Sequence, residues 1–351
     1  MNDVTISKEE FRQLVGKLLR GKEEVVGVQR KDGKYDYGLL ESPDELVLGY
    51  DVTVYPPGKY LTPYRESLIK FKVGARPDIE ATVEDKPRII IGVHPYDLHA
   101  LELRDAVYSK TYLDPNYESR KANTAIIAVD CLNPSPCSFA KSMGTNTANK
   151  GFDLLLTDIG DRYAAAVGSE RGQSLLGQAR TSPAGRADLE KRDALRKASE
   201  AKYKVSLAMS PTEIPALLNA NWEHPLWEEK GKECFSCGSC TQVCPTCVCF
   251  DVQDEMELNL VDGRRLRTRD SCMFIEFAKV ATGENFRPTP TQRLRHRLHR
   301  KGKYMLEKYG LLGCVGCGRC SSVCLPNIAS PADAYNALKG LKVVWKGVKV
   351  A

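Results

Sequence analysis

Two runs of cysteines with the same internal spacing dominate the second half of the sequence. Each run reads Cys-x2-Cys-x2-Cys-x3-Cys, and a proline follows the first run directly. This is the bacterial iron–sulfur ligand pattern, in which the fourth cysteine of a run ligates the cluster of the other run. The spacing therefore predicts two [4Fe–4S] clusters. The predicted ligands are Cys234, Cys237, Cys240 and Cys324 for the first cluster, and Cys314, Cys317, Cys320 and Cys244 for the second.

Zinc is the alternative metal, because a doubled Cys-x2-Cys is also a zinc signature. Zinc requires two such pairs, whereas this chain has two sets of three cysteines plus one. A zinc-binding structural scaffold is thus kept as the competing function from another class, and it predicts a colourless protein.

Three further cysteines suggest a third metal centre. Cys247 and Cys249 directly follow the first run, and Cys272 lies in the long insert between the runs. On an extended backbone, residues two apart face the same side, so these three thiolates could meet. We expect either an iron–sulfur cluster or a zinc ion there, and its fourth ligand stays open. The candidates are Cys131, Cys137, His296 and His299. The alternative is that the three cysteines are buried, reduced thiols.

Two basic features accompany the cysteines. Arg319 lies inside the second run and is a candidate for raising the potential of that cluster, with a solvated surface residue as the alternative. The segment Arg293-Leu-Arg-His-Arg-Leu-His-Arg-Lys301 is predicted to balance charge around the clusters or to dock an acidic partner. It has no interleaved aromatic residues for base stacking, so no nucleic-acid partner is predicted.

Composition limits the class of protein. The chain has 351 residues, a formal net charge of +6 and thirteen cysteines. Its length indicates two domains, and clustered Cys-x2-Cys spacing is typical of metal sites in a reducing compartment. No apolar run is long enough to span a membrane, and the N-terminus lacks the features of a signal peptide. We therefore expect a cytoplasmic protein without membrane contact.

The elements that position the cysteines follow from apolar periodicity. Residues 7–19 have helical spacing with Ser7 as N-cap. Residues 88–94 and 125–130 read as buried strands joined by a helix at 97–108, hence a βαβ unit, and 152–168 as a hairpin that turns at Gly160-Asp161. The alanine-rich, charged stretch 182–204 reads as a solvated helix.

The predicted fold class is α+β, in three parts. Residues 1–225 form a mixed α/β domain, and residues 226–332 form a mostly helical, ferredoxin-like dicluster domain with a long insert. Residues 333–351 form a C-terminal tail.

The chain resembles a known family across nearly its whole length. The motifs that carry the resemblance are Tyr55-Pro-Pro-Gly-Lys59, Gly92-Val-His-Pro-Tyr-Asp97, Gly151-Phe-Asp-Leu154, Glu223-His-Pro-Leu-Trp227, Cys244-Pro-Thr-Cys-Val-Cys249, Asp270-Ser-Cys272, Asn285-Phe-Arg-Pro288 and Cys314-Val-Gly-Cys-Gly-Arg-Cys320. Together they are similar to the iron–sulfur β subunit of soluble archaeal and bacterial [NiFe] sulfhydrogenases and to the related A subunit of anaerobic sulfite reductase.

The resemblance implies an electron relay that is not catalytic alone. Its partners would be a flavin subunit that handles NAD(P)H and a catalytic subunit of the [NiFe] hydrogenase or sulfur reductase type. The same role in an anaerobic sulfite reductase or a heterodisulfide-reductase-like complex is the alternative. The chain departs from the family at Tyr96, where relatives commonly have Cys, and at Phe139, although Cys131 and Cys137 are kept. We therefore expect no extra centre at those positions.

Overall fold

Two β-sheets form the framework of the chain. The computed structural model describes residues 3–74, 76–110 and 112–340. Sheet A contains β1 (Val4–Ser7), β2 (Glu24–Lys31), β3 (Lys34–Leu39), β6 (Arg88–Val93), β7 (Thr124–Val129), β8 (Leu154–Asp158), β9 (Arg162–Val167) and β10 (Ser182–Pro183). Sheet B contains β4 (Arg65–Lys72), β5 (Asp78–Ala81), β11 (Phe250–Met256) and β12 (Asp262–Arg269).

Sheet A has a parallel centre with antiparallel edges. Its order is β10-β1-β9-β8-β7-β6-β2-β3, and β2, β6, β7 and β8 run parallel to one another. Strand β6 is buried at every position, as expected for a central strand that is covered on both faces. The predicted βαβ unit is confirmed by the parallel pairing of β6 with β7, and the predicted hairpin by the antiparallel pairing of β8 with β9.

Helices cover sheet A and also flank the cysteine runs, and the mostly helical, ferredoxin-like character of residues 226–332 stays a prediction. They are α1 (Lys8–Leu18), α2 (Pro95–Ser109), α3 (Pro115–Ala122), α4 (Ala140–Met143), α5 (Glu170–Leu176), α6 (Arg186–Glu200), α7 (Ile214–Ala220), α8 (Leu226–Glu233), α9 (Ser239–Gln242), α10 (Pro290–His299), α11 (Met305–Tyr309), α12 (Arg319–Ser322) and α13 (Pro331–Leu338). A π-helical turn, Arg300–Tyr304, joins α10 to α11.

The first helix shows how local sequence sets these elements. The Ser7 side chain accepts a hydrogen bond from the Glu10 amide and so caps α1, as predicted. The apolar residues at helical spacing, Phe11, Leu14, Val15 and Leu18, are buried and join the core of sheet A. The charged helix predicted within 182–204 is α6, which is largely exposed.

Sheet B joins distant parts of the chain. Its order is β11-β12-β4-β5, so a hairpin from the insert between the cysteine runs pairs with strands from residues 65–81. Buried Glu66 on β4 forms ion pairs with Arg120 on α3 and Arg267 on β12, the latter at 2.7 Å. These ion pairs connect the insert between the cysteine runs, which contains β12, to β4 and to α3.

The predicted α+β class is confirmed, because helices and sheets both contribute and the strands pair in mixed directions. The domain divisions at residues 225 and 332 stay predictions, and sheet B contains strands from both sides of the first division. The predicted tail begins within α13, and its residues 341–351 lie outside the described residues. In the described ranges, no helix is both long enough and apolar enough to cross a membrane.

Candidate functional site

A first cavity is lined by three cysteines of the first run and by the last cysteine of the second. The structure thus brings together Cys234, Cys237, Cys240 and Cys324, the set that the spacing predicts for one cluster. The remaining wall is apolar or neutral and includes Met273 and Leu294. Cys237 is exposed, and the neighbouring Phe235 and Leu325 are 68% and 83% exposed. The first cavity therefore reaches the protein surface.

A second cavity is lined by the complementary set of cysteines. These are Cys244, Cys314, Cys317 and Cys320. Phe139, Arg297 and Lys301 also line this cavity, and all three side chains are buried. The second cavity therefore lies deeper than the first. Burial raises the pKa of Cys314 to about 12, and the pKa of Cys240 in the first cavity likewise. Ionisation of such thiols requires nearby positive charge.

The two cavities are built from the same local structure. Gly238 and Gly318 each adopt a left-handed conformation and each precede a four-residue helix as its N-cap residue, α9 and α12 respectively. The left-handed glycine lets the chain turn sharply between the second and third cysteines of the run. The equal spacing of the two runs thus corresponds to equal backbone geometry.

The second cysteine loop rests on residues 137–140, which the sequence did not connect with it. The carbonyl oxygen of Gly316 accepts hydrogen bonds from the Phe139 amide at 2.8 Å and the Ser138 hydroxyl at 3.0 Å. A Cβ added at Gly318 would lie 2.6 Å from the carbonyl carbon of Cys137. Only glycine fits so close to another backbone. Cys137 therefore forms part of the support beneath the second cavity.

Arg319 is buried, and the alternative of a solvated surface residue is wrong. Its guanidinium makes two hydrogen bonds to the Asp97 carboxylate, at 2.6 and 2.8 Å, and donates to the Thr53 carbonyl oxygen at 2.8 Å. Burial acts to lower the pKa of Arg319, but the Asp97 carboxylate together with Cys317 and Tyr96 raises it, and the net shift is upward. The charge of Arg319 is thus paired with an opposite charge beside the second cavity.

Tyr96 occupies the position where the resembling family commonly has Cys. It is buried with Cys131 and Cys317 in one apolar cluster, and its hydroxyl lies 2.6 Å from His94 Nδ1. The ring of His94 stacks on Tyr50 with centroids 4.0 Å apart. At this position the chain has aromatic packing, and the expected absence of an extra centre stays a prediction.

The three cysteines of the predicted third centre affect the ionisation of neighbouring thiols in two pairs. Interaction with the thiol of Cys272 lowers the pKa of Cys249 to about 6, although burial acts in the opposite direction. Interaction with the thiol of Cys247 lowers the pKa of Cys244, whose sulfur lies 3.3 Å from the Thr246 hydroxyl.

Of the four candidates for the fourth ligand, His296 lines a small opening together with Cys249. Both ring nitrogens of His299 lie within hydrogen-bonding distance of main-chain carbonyl oxygens, and Cys131 and Cys137 lie near Tyr96 and Gly318. In the part of the chain that the structure describes, no three His, Cys, Asp or Glu side chains are arranged around a single metal ion. The third centre stays a prediction.

Comparison with known proteins gives two matches and one negative result. The model of the 4Fe-4S dicluster domain family matches residues 233–328, a range that contains both cysteine runs. Sulfhydrogenase 2 subunit beta of Pyrococcus furiosus is 31% identical over 326 residues, which cover 92% of this chain and 95% of that protein. No solved structure matches the chain.

Proposed function

The chain belongs to the sulfhydrogenase β-subunit family, and from this premise we propose that it relays electrons between two other subunits of an oxidoreductase. In this proposal a flavin subunit that handles NAD(P)H supplies or receives electrons on one side. A catalytic subunit of the [NiFe] hydrogenase or sulfur reductase type does so on the other. The chain itself carries out no bond chemistry on a substrate.

The observation that carries the proposal is the pair of cavities, each lined by four cysteines. A [4Fe–4S] cluster takes four cysteine thiolates, so the donor set of each cavity fits one cluster. The walls contain no carboxylate or imidazole among the described residues that could replace a thiolate. When bound, the two clusters supply one-electron transfer without proton or group transfer.

The protein residues would do three things for the clusters. The glycine loops bring the backbone close to each cavity, so that amide groups can face the sulfur atoms. The exchange of the fourth cysteine between the runs holds the two cavities next to each other. Residues 137–140 and the Asp97–Arg319 pair hold the second cysteine loop in place and shield the second cavity from solvent.

The two cavities are proposed to have different roles because their access differs. The first reaches the surface at Cys237, so we assign it the exchange of electrons with a neighbouring subunit. The second is enclosed by buried side chains, so we assign it the inner position of the relay. None of the thirteen cysteines forms a disulfide, which suits a reducing cytoplasm.

Anaerobic purification followed by metal analysis tests the proposal. We expect a brown protein with about eight irons per chain, from two clusters of four irons. Cys237→Ser should reduce the iron content, whereas Cys131→Ser is the matched control outside both cavities and should retain it. A colourless protein that contains zinc would reject the relay in favour of a structural scaffold. About twelve irons would establish the third centre.

The partners are tested by identifying the proteins that co-purify under the same conditions. We expect a flavin subunit and a large [NiFe] subunit. If a sirohaem subunit or a heterodisulfide-reductase-like subunit co-purifies instead, the chain is still an electron relay, but it serves a different reaction. Isolation of the chain alone, with activity toward NAD(P)H or sulfite, would contradict the proposal.

A further inference from the structure

Three buried cations lie on one helical segment between the two cavities. Arg293, Arg297 and Lys301 are four residues apart in the continuous helical stretch from α10 through the π-helical turn, so they lie along one side of it. Their exposed fractions are 3%, 1% and 3%. The basic segment found in the sequence is thus partly internal, and these three residues are named here the cation row.

The cation row differs from the other basic residues of the same segment. Arg295 pairs with Glu223 and Lys303 pairs with Glu307, both carboxylates being on the surface. Within the described ranges, no carboxylate lies within 4.0 Å of any member of the cation row. A buried charge without an opposite charge is strongly unfavourable. Anions that face the row are therefore required.

Arg293 contacts the loop of the first cavity. Its Nη2 donates a hydrogen bond to the Ser236 hydroxyl at 2.8 Å, and Ser236 lines the first cavity between Cys234 and Cys237. Its Nη1 donates to the main-chain carbonyl oxygens of Arg287 and Pro288.

Arg297 lies between the two cavities. Its side chain lines the second cavity, and its Nη1 donates at 3.0 Å to the carbonyl oxygen of Ala329, which lines the first. Its Nε is buried and has no hydrogen-bond partner among the described residues. The positive charge of the guanidinium is thus close to both cavities.

Lys301 lines the second cavity but not the first. Its ammonium group donates at 2.6 Å to the Thr246 hydroxyl, and both residues line that cavity. The wall of the first cavity has no charged side chain, whereas Arg297 and Lys301 both belong to the wall of the second. Arg319, also near the second cavity, is already paired with Asp97.

We infer that the cation row is the internal counter-charge of the two cluster sites, and that Arg297 and Lys301 raise their reduction potentials. The inference rests on the proposed function, because the anions that face the row are then the thiolate-bound clusters. Each electron gained adds negative charge, and a fixed cation nearby favours it. Lys301 raises the potential of the second site, and Arg297 raises both.

Redox titration followed by EPR tests the inference on the complete chain with its clusters. Lys301→Met should lower one of the two midpoint potentials, and Arg297→Gln should lower both. At a fixed applied potential we expect the ratio of reduced to oxidised cluster to fall about tenfold, equivalent to ~59 mV for one electron. Arg295→Gln, on the same helix but paired at the surface, is the matched control and should leave both midpoints unchanged.

The charge-conserving variants Lys301→Arg and Arg297→Lys separate charge from packing. They should retain eight irons and midpoints near those of the wild type. If Lys301→Met loses iron while Lys301→Arg keeps it, the positive charge is required and the inference is supported. Iron loss in both, unchanged midpoints in the neutral variants, or an equal shift in the Arg295→Gln control would overturn it. A wild-type protein without iron would instead refute the proposed function.

Discussion

Replacement of Asp97 by Asn tests whether a buried ion pair supports the second cavity. Asp97 lies in the first turn of α2, and Arg319 begins α12 inside the second cysteine run, 222 residues later. Both side chains are fully buried. Asn has nearly the same shape as Asp but no charge, so Asp97→Asn leaves the Arg319 guanidinium buried without its carboxylate.

The expected cost follows from the contacts of the pair. Removal of one partner of a buried ion pair destabilises a protein by roughly 3–5 kcal/mol. Arg319 retains its hydrogen bonds to Thr53, and the Asn amide oxygen can still accept one of the two lost bonds, so the lower end applies. A change of about 3 kcal/mol corresponds to an increase of roughly 150-fold in the equilibrium constant for local opening.

Hydrogen–deuterium exchange measured by mass spectrometry reads this opening directly. Peptides that cover residues 92–98 and 314–322 should exchange about 100-fold faster in Asp97→Asn. The matched control is Asp158→Asn, because Asp158 pairs with Lys8 at 2.8 Å on the surface, where an ion pair contributes only about 0–1 kcal/mol. Equal exchange in the two variants would refute the assignment. The double variant Asp97→Leu/Arg319→Met should recover much of the lost protection, since it removes both charges.

Three other changes probe the cavities and their attachment. Gly318→Ala should abolish iron binding at the second site, because the added Cβ would clash with the backbone of Cys137. Gly310→Ala is the control, because Gly310 has a similar left-handed φ but open space around it, and this variant should keep all the iron. Cys249→Ala should leave about eight irons per chain by metal analysis, and a loss of about four would show that this thiol is a ligand. Glu66→Gln leaves two buried arginines without their shared carboxylate, so limited proteolysis should cut the β11–β12 hairpin faster than in the wild type; unchanged cleavage would contradict a stabilising role.

Local chemistry explains what the sequence could predict. The spacing of the cysteines led to two sets of four, and the structure brings the members of each set to one cavity. Their role as ligands stays a prediction. The capped first helix, the βαβ unit and the β8–β9 hairpin were predicted correctly because each depends on residues close together in the chain.

Contacts between distant residues explain what the sequence could not predict. The surroundings of Arg319 are set by Asp97 and Thr53, which lie more than 200 residues earlier, so the alternative of a surface position could not be rejected beforehand. The pairing of β4 with β12 and the fit of Gly318 against Cys137 are equally remote. The spacing of residues along the chain does not predict such contacts between distant residues. The internal position of Arg297 could have been suspected from its spacing to Arg293 and Lys301, which places the three on one side of a helix.

The exchange of a cysteine between the two cavities has a consequence for the order in which the protein matures. The first cavity is incomplete until Cys324 has been synthesised, and the second until Cys314, Cys317 and Cys320 have been. Closing the long connection between the runs costs chain entropy, and that cost is shared by both cavities. Cofactor insertion is therefore expected to follow translation of nearly the whole chain, with both sites filled in a single concerted stage of maturation.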